Sequence, residues 1–159
     1  MSFSTFSGPI RSGTVRYGAN DNTGLAMLAQ SYDTGDLTGT AVGNVDRLLG
    51  YLPAGSQIVN ILIDQVVAAT AGTTTISTGS TSGGAELSAA VVTTAGGRFT
   101  GTATAATQLA WQTSTSADTP VYVRVAVGTA TLTAGRAIVT VVYVQRASNG
   151  AQNPAYNQN

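Results

Sequence analysis

The sequence predicts an all-β protein, with an antiparallel β-sandwich or jelly-roll-like body that follows an extended N-terminal arm. Alanine, valine, threonine and glycine dominate the composition, a mixture that favours strands and turns over helices. Short apolar runs, about eight of them, alternate with turn clusters. No segment with helical periodicity and helical length separates these runs, so a sheet built from β-α-β crossovers is not expected.

The 159 residues fit one domain, in which three regions differ in pattern. Residues 1–40 form the extended arm and a first strand region, in which residues 25–32 fit either a short helix or a strand. The flanking turn residues leave too little length for a helix, so we expect an extended segment there. Residues 41–147 form the sandwich body, and residues 148–159 form a flexible polar tail.

In the body, the run at 41–52 ends at Pro53, which begins a turn. The run at 57–68 follows, and its alternation assigns Val59, Ile61, Ile63 and Gln65 to the core face.

A short strand at 73–80 leads into a turn cluster at 79–84, and the runs at 86–94 and 108–115 follow. The alternation in the last of these predicts a strand that packs Trp111 against the core.

The final two runs carry the clearest pattern. In residues 121–127 every odd position is valine, which predicts a half-buried strand. Residues 136–146 are apolar on both faces, so we expect a central strand, or a strand whose outer face contacts a partner.

The composition argues against an enzyme. The chain has no histidine, cysteine or lysine and a single glutamate, Glu86, so the usual general bases and nucleophiles are missing. We expect no cofactor and no metal. Asp33 and Asp36 lie in a sequence that resembles part of a calcium loop, but its spacing differs from that of an EF-hand, and capping of turns by the aspartates is favoured.

Charge is scarce, with 9% charged residues and a formal net charge of zero. This excludes a long basic patch for nucleic acid, and a near-neutral surface favours association with other protein surfaces. The seven arginines are scattered and lysine is absent; this pattern suits partly buried interface contacts, and chance usage in an arginine-preferring genome explains it equally well. We find neither an export signal nor a membrane span and expect assembly in a cytoplasm.

The arm combines aromatic side chains, arginines and glycines without apolar periodicity. Burial of Phe3, Phe6 and Tyr17 contributes roughly 1.5–3 kcal/mol each, whereas ordering the backbone costs about 1–2 kcal/mol per residue. The arm therefore needs a partner surface, for example through strand addition, or else is a frayed terminus. Its candidate interface residues are Phe3, Phe6, Pro9, Ile10, Arg11, Arg16 and Tyr17.

Three stretches together resemble the capsid decoration, or cement, proteins of tailed bacteriophages: the FSGP start, LPAGSQIVNILIDQVVAATAGTTTIST and DTPVYVRVAVGTATLTAGRAIVTVVYVQ. The resemblance covers about residues 50–146. It implies a sandwich or jelly-roll body, often trimeric, that sits on the outer face of the shell with its arm between subunits of the major capsid protein. It brings no catalytic residues. The expected location is the virion, at the capsid surface.

Two other functions remain open. A fibre or receptor-binding protein that recognises glycans would need an exposed aromatic platform, for which Tyr51, Trp111, Tyr122 and Tyr143 are the candidates. A tail or head-completion component would form rings. A major capsid protein is disfavoured because the chain is short and lacks a long helix.

Overall fold

The computed structural model describes residues 25–70, 73–101, 111 and 117–146. These residues form eight strands: β1 (Leu25–Asp33), β2 (Gly43–Leu52), β3 (Ser56–Thr70), β4 (Thr74–Gly79), β5 (Ser88–Val92), β6 (Gly97–Thr100), β7 (Thr119–Val127) and β8 (Ala134–Arg146). In this described part of the chain, no helix is long and apolar enough to cross a membrane.

The strands form two four-stranded antiparallel sheets. Sheet A has the order β1-β8-β3-β6, and sheet B has the order β2-β7-β4-β5. Except for the β4–β5 hairpin, every pair of consecutive strands lies in different sheets. The predicted all-β antiparallel sandwich is confirmed.

The core lies between the sheets and consists of aliphatic side chains. Val121, Val123, Val125 and Val127 on β7 are at most 4% exposed, which confirms the alternation seen in the sequence. Facing them from sheet A are the inward residues of β3 and β8, which include Ile61, Ile63, Ala137, Val139, Val141 and Tyr143.

A β-bulge in β3 changes which of its residues face the core. The register of β3 against β8 shifts between Ile58 and Asn60, so Val59 is the extra residue and is 47% exposed. The prediction that Val59 faces the core is therefore wrong. Ile61, Ile63 and Gln65 are buried as predicted.

The last strand is central, as the sequence predicts, since β8 lies between β1 and β3. Residues 25–33 are extended as predicted and form an edge strand of sheet A.

Two features differ from the sequence analysis. The four-residue strand β6 was not predicted. Trp111 has helical backbone conformation instead of extended backbone. Its side chain nevertheless packs against the core and donates a hydrogen bond from Nε1 to the Leu87 carbonyl at 2.6 Å.

Candidate interaction surfaces

The seven interface residues predicted in the arm lie outside the described residues, and so do residues 148–159. The structure describes where both segments join the sandwich. Leu25, the first residue of β1, pairs with Arg146, the last residue of β8. The N-terminal and C-terminal segments therefore leave sheet A from neighbouring strands at the same end.

At that end, the outer face of sheet A carries apolar side chains on β1 and β8, beside the polar Gln57 and Asn60 of β3. Side chains opposite each other in an antiparallel sheet point to the same face, so the registers place Met27 beside Val144 and Ala29 beside Val142. The next row along the sheet brings Leu62 beside Thr140. Met27 is 66% exposed, and the valines and leucine are half-buried. We call this surface, formed by Met27, Ala29, Leu62, Val142 and Val144, the apolar end of sheet A.

The other end of the same face carries two ion pairs. Arg136 on β8 binds both carboxylate oxygens of Asp33 on β1, at 2.5 and 3.2 Å. Arg98 on β6 binds both oxygens of Asp64 on β3, at 2.6 and 3.0 Å. The hydrogen bonds from Arg136, together with one from the Gly35 amide, lower the pKa of Asp33 to about 2, and those from Arg98 lower the pKa of Asp64. Each pair joins an edge strand of the sheet to its inner neighbour, so the charges satisfy one another.

A third ion pair lies on the outer face of sheet B. Arg124 on β7 binds Asp46 on edge strand β2 at 2.8 and 3.1 Å, and the Ser82 hydroxyl donates to the same carboxylate. The hydrogen bonds from Arg124 lower the pKa of Asp46. The pair is less exposed than the two on sheet A because the loop at 80–86 covers it.

Glu86 closes this loop. Its Oε1 accepts hydrogen bonds from the Ser80 amide and hydroxyl and from the Thr81 amide. Burial raises the pKa of Glu86, but these hydrogen bonds outweigh it, and the pKa lies below its usual value. The loop is therefore fastened at its two ends by one carboxylate.

The aspartates of the calcium-like sequence cap turns, as the sequence analysis favoured. Asp33 Oδ1 accepts a hydrogen bond from the Gly35 amide at 2.9 Å. Asp36 Oδ1 accepts from the Thr38 amide at 2.9 Å and from the Thr38 hydroxyl at 2.6 Å. Among the described residues, no group of acidic side chains is arranged to hold a metal ion.

The described acids thus all serve structural contacts. Besides the three ion pairs, Asp36 and Glu86, the remaining one, Asp118, accepts a hydrogen bond from the Ala54 amide at 2.9 Å. Three of the arginines pair within the chain, Arg98, Arg124 and Arg136. Interface contacts were one interpretation of the arginines in the sequence; their pairing within the chain could not be predicted, because the partners lie 34 to 103 positions apart.

The aromatic residues do not form an exposed platform in the described part of the chain. Tyr143 is 4% exposed, and Tyr122 and Trp111 are half-buried. Of the four candidates only Tyr51, at 54%, is exposed.

No family model matches the chain, and no curated protein matches it. Solved phage capsids do contain similar chains. A chain in the capsid of Ralstonia phage GP4 is 27% identical, with a TM-score of 0.57 over 87% of this chain and 93% of that one.

Two further capsid chains share the fold. One, from the acid-stable capsid of the Helicobacter pylori bacteriophage KHP30, has a TM-score of 0.53 and 14% identity over 80% of this chain and 99% of that one. The other, from the cyanophage Pam1 capsid, has a TM-score of 0.52 and 20% identity over 89% of this chain and 98% of that one. The chain is similar to phage capsid proteins, which supports a structural protein of the virion.

Proposed function

We propose that this protein is a capsid decoration protein, which binds the outer surface of a phage shell and stabilises it by bridging neighbouring capsomers. The observation that carries the proposal is the likeness to the chain in the Ralstonia phage GP4 capsid, which extends over nearly the whole of both chains. That capsid chain is therefore about as long as this one. A component of this size suits an accessory of the shell better than its main building block.

The strand order supports a jelly-roll body for this accessory. Sheets of order β1-β8-β3-β6 and β2-β7-β4-β5, in which successive strands alternate between the sheets except at the β4–β5 hairpin, fit the eight-stranded double Greek key. Self-association as a trimer, which the family resemblance implies, is part of the same proposal. At low concentration, a mass of three times 16.0 kDa is the expected result.

The arm is the proposed clamp on the major capsid protein. Its candidate anchors precede β1, which begins at the apolar end of sheet A. They are Phe3, Phe6, Pro9, Ile10, Arg11, Arg16 and Tyr17. If the arm binds the major capsid protein, the apolar end of sheet A lies next to the shell. Weak contacts suffice, because the several arms of one oligomer bind at high effective concentration.

The mechanism is mechanical. The sandwich covers seams between capsomers, the arms hold adjacent subunits, and the shell resists the pressure of packaged DNA. The proposed location is the capsid surface of the virion, after assembly in the host cytoplasm. The proposed role needs no catalytic residue, cofactor, nucleic acid or membrane.

A glycan-binding fibre or receptor-binding protein and a tail or head-completion component are the alternatives. The scarcity of exposed aromatic side chains among the four candidates favours decoration over glycan recognition. A ring-forming component would differ in its copy number in each virion.

The clamp is tested by deletion of residues 2–20. We expect the shortened chain to keep the circular dichroism spectrum of a β-sandwich and to lose co-sedimentation with shells that lack the protein. Deletion of residues 148–159 is the matched control and should leave binding intact. Unchanged binding after the N-terminal deletion would refute the clamp.

A further inference from the structure

Strand β1 presents an open edge along one side of sheet A. It pairs with β8 in an unbroken register over nine residues, from Leu25 opposite Arg146 to Asp33 opposite Ile138. In an antiparallel pair, alternate backbone groups of the edge strand point away from its neighbour. Within the described chain, no further strand pairs with β1.

The other edge strands carry features that discourage strand addition, and β1 does not. Strand β2 has a bulge next to Leu48 and the charged residues Asp46 and Arg47. Strands β5 and β6 are only five and four residues long. By contrast, β1 has no bulge, no proline and no charge before its last residue. A long, regular, uncharged edge is a template for pairing with another strand.

We propose that the strand added to this edge is β1 of a second copy, in an antiparallel arrangement about a twofold axis at Ala29. This register pairs all nine residues. It places Leu25 of each copy opposite Asp33 of the other and Met27 of each opposite Ser31 of the other. The two A sheets then form one continuous eight-stranded sheet.

Charge and shape both favour a second copy as the occupant. The formal net charge of zero means that two copies do not repel each other. The one charge in the strand, Asp33, lies at the end and is already bound by Arg136. At the axis, alanine faces alanine, so no side chain obstructs the approach of the backbones.

The pairing also covers apolar surface. Met27 and Leu28 are 66% and 41% exposed in the single chain, and both flank the proposed axis. The register sets Met27 of each copy beside Ser31 of the other, so the added strand covers part of each Met27 side chain, and the two apolar ends touch at Ala29. The contact is twofold, so it is separate from the proposed trimer, and it does not depend on attachment to a shell.

The register predicts a charge-swap experiment. In a variant with Met27→Lys and Ser31→Lys, lysines of the two copies face each other at two places, and association should weaken about tenfold or more. The same holds for the variant with Met27→Glu and Ser31→Glu. In a mixture of the two, every lysine faces a glutamate, and pairing should return.

Sedimentation velocity over a range of concentrations gives the readout. We expect the mass of the wild-type full-length protein to double between low and high concentration. Each charge variant should keep its low-concentration mass throughout. The mixture of the two variants should double in mass like the wild type. Asn44→Lys with Leu48→Lys on edge strand β2 is the control with the same charge and spacing, and it should double like the wild type.

Three results would overturn the proposal: a wild-type mass that never doubles, a lysine variant that doubles like the wild type, or a mixture that fails to do so. If the edge instead receives a strand of the shell, the lysine variant would lose shell binding while the wild type keeps a single mass. That result likewise excludes the second copy.

Discussion

Buried threonines decide part of the stability of sheet B. Thr74, Thr78 and Thr93 are all fully buried. The hydroxyl of Thr93 donates to the Thr74 carbonyl at 3.1 Å, whereas the Thr78 hydroxyl has no hydrogen-bond partner among the described residues. A buried hydroxyl without a partner destabilises the fold, and a bonded one stabilises it, although the residues and their burial are the same.

Valine substitutions at Thr78 and Thr93 should therefore change the free energy of unfolding in opposite directions. We expect Thr78→Val to raise the free energy of unfolding by about 0.5–1 kcal/mol, because a methyl group replaces an unpaired hydroxyl. Thr93→Val should lower it by about 1 kcal/mol, because a bonded hydroxyl is lost. Urea denaturation measures both. Equal effects of the two changes would show that the hydrogen bond is not what distinguishes them.

At the scale of elements, the loop between β4 and β5 depends on close backbone packing. A methyl group at Gly79 would lie 2.5 Å from the carbonyl carbon of Gly84 and 2.6 Å from its Cα. At Gly83, where φ is +86°, it would meet the guanidinium of Arg124. The loop thus lies on sheet B only because these positions lack side chains.

We expect Gly79→Ala to destabilise the protein by about 1–3 kcal/mol, because the backbone at Gly84 must move. The matched control is Gly96→Ala, where the added methyl group has an ordinary contact of 3.7 Å with the Gln65 carbonyl. Its effect should stay within about 0.5 kcal/mol. Thermal unfolding measures both variants, and a harmless Gly79→Ala would mean that the loop does not rest on the strand.

The sequence predicts a strand well where its own alternation of residues determines which side chains are buried. It predicts a strand poorly where hydrogen-bond pairing with a neighbouring strand determines this. The valines of β7 alternate without interruption, so their burial could be read directly. In β3, the bulge at Val59 changes the phase of the alternation, and a bulge is set by the partner strand. Strand β6 begins at Gly97 and is four residues long, too short to give a pattern.

The candidate surfaces follow the same rule. The sequence alone showed that the β8 segment is apolar on both faces and that Leu62 alternates with the core-facing residues of β3. Their assembly with Met27 into one apolar end required the registers of three strands. The ion pair of Asp46 with Arg124 joins residues 78 positions apart and could not be predicted from spacing.

For the molecule as a whole, acid is the condition that should weaken the fold. The pKa values of the paired acids lie below their usual range, and that of Asp33 lies at about 2 against an ordinary 3.8. A lowered pKa in the folded state contributes stability that is present above the unfolded pKa and is lost as the pH falls through the folded pKa. The chain has no histidine to titrate between pH 5 and 8.

We expect the urea midpoint to stay level from about pH 8 to 5 and to fall between about pH 4 and 2. The double variant with Asp33→Asn and Arg136→Gln should show a shallower fall, because it lacks one of the paired carboxylates. A midpoint that declines between pH 7 and 5 would be inconsistent with these pKa values.

The central claim is that the protein decorates a whole shell, and the number of copies in each virion tests it most directly. Quantitative mass spectrometry of purified virions, with the major capsid protein as the internal standard, gives that number. A decoration protein repeats with the symmetry of the shell, so we predict copies on the order of hundreds. A count of about twelve or fewer, as in a single ring of the tail or of the head opening, would contradict the decoration role.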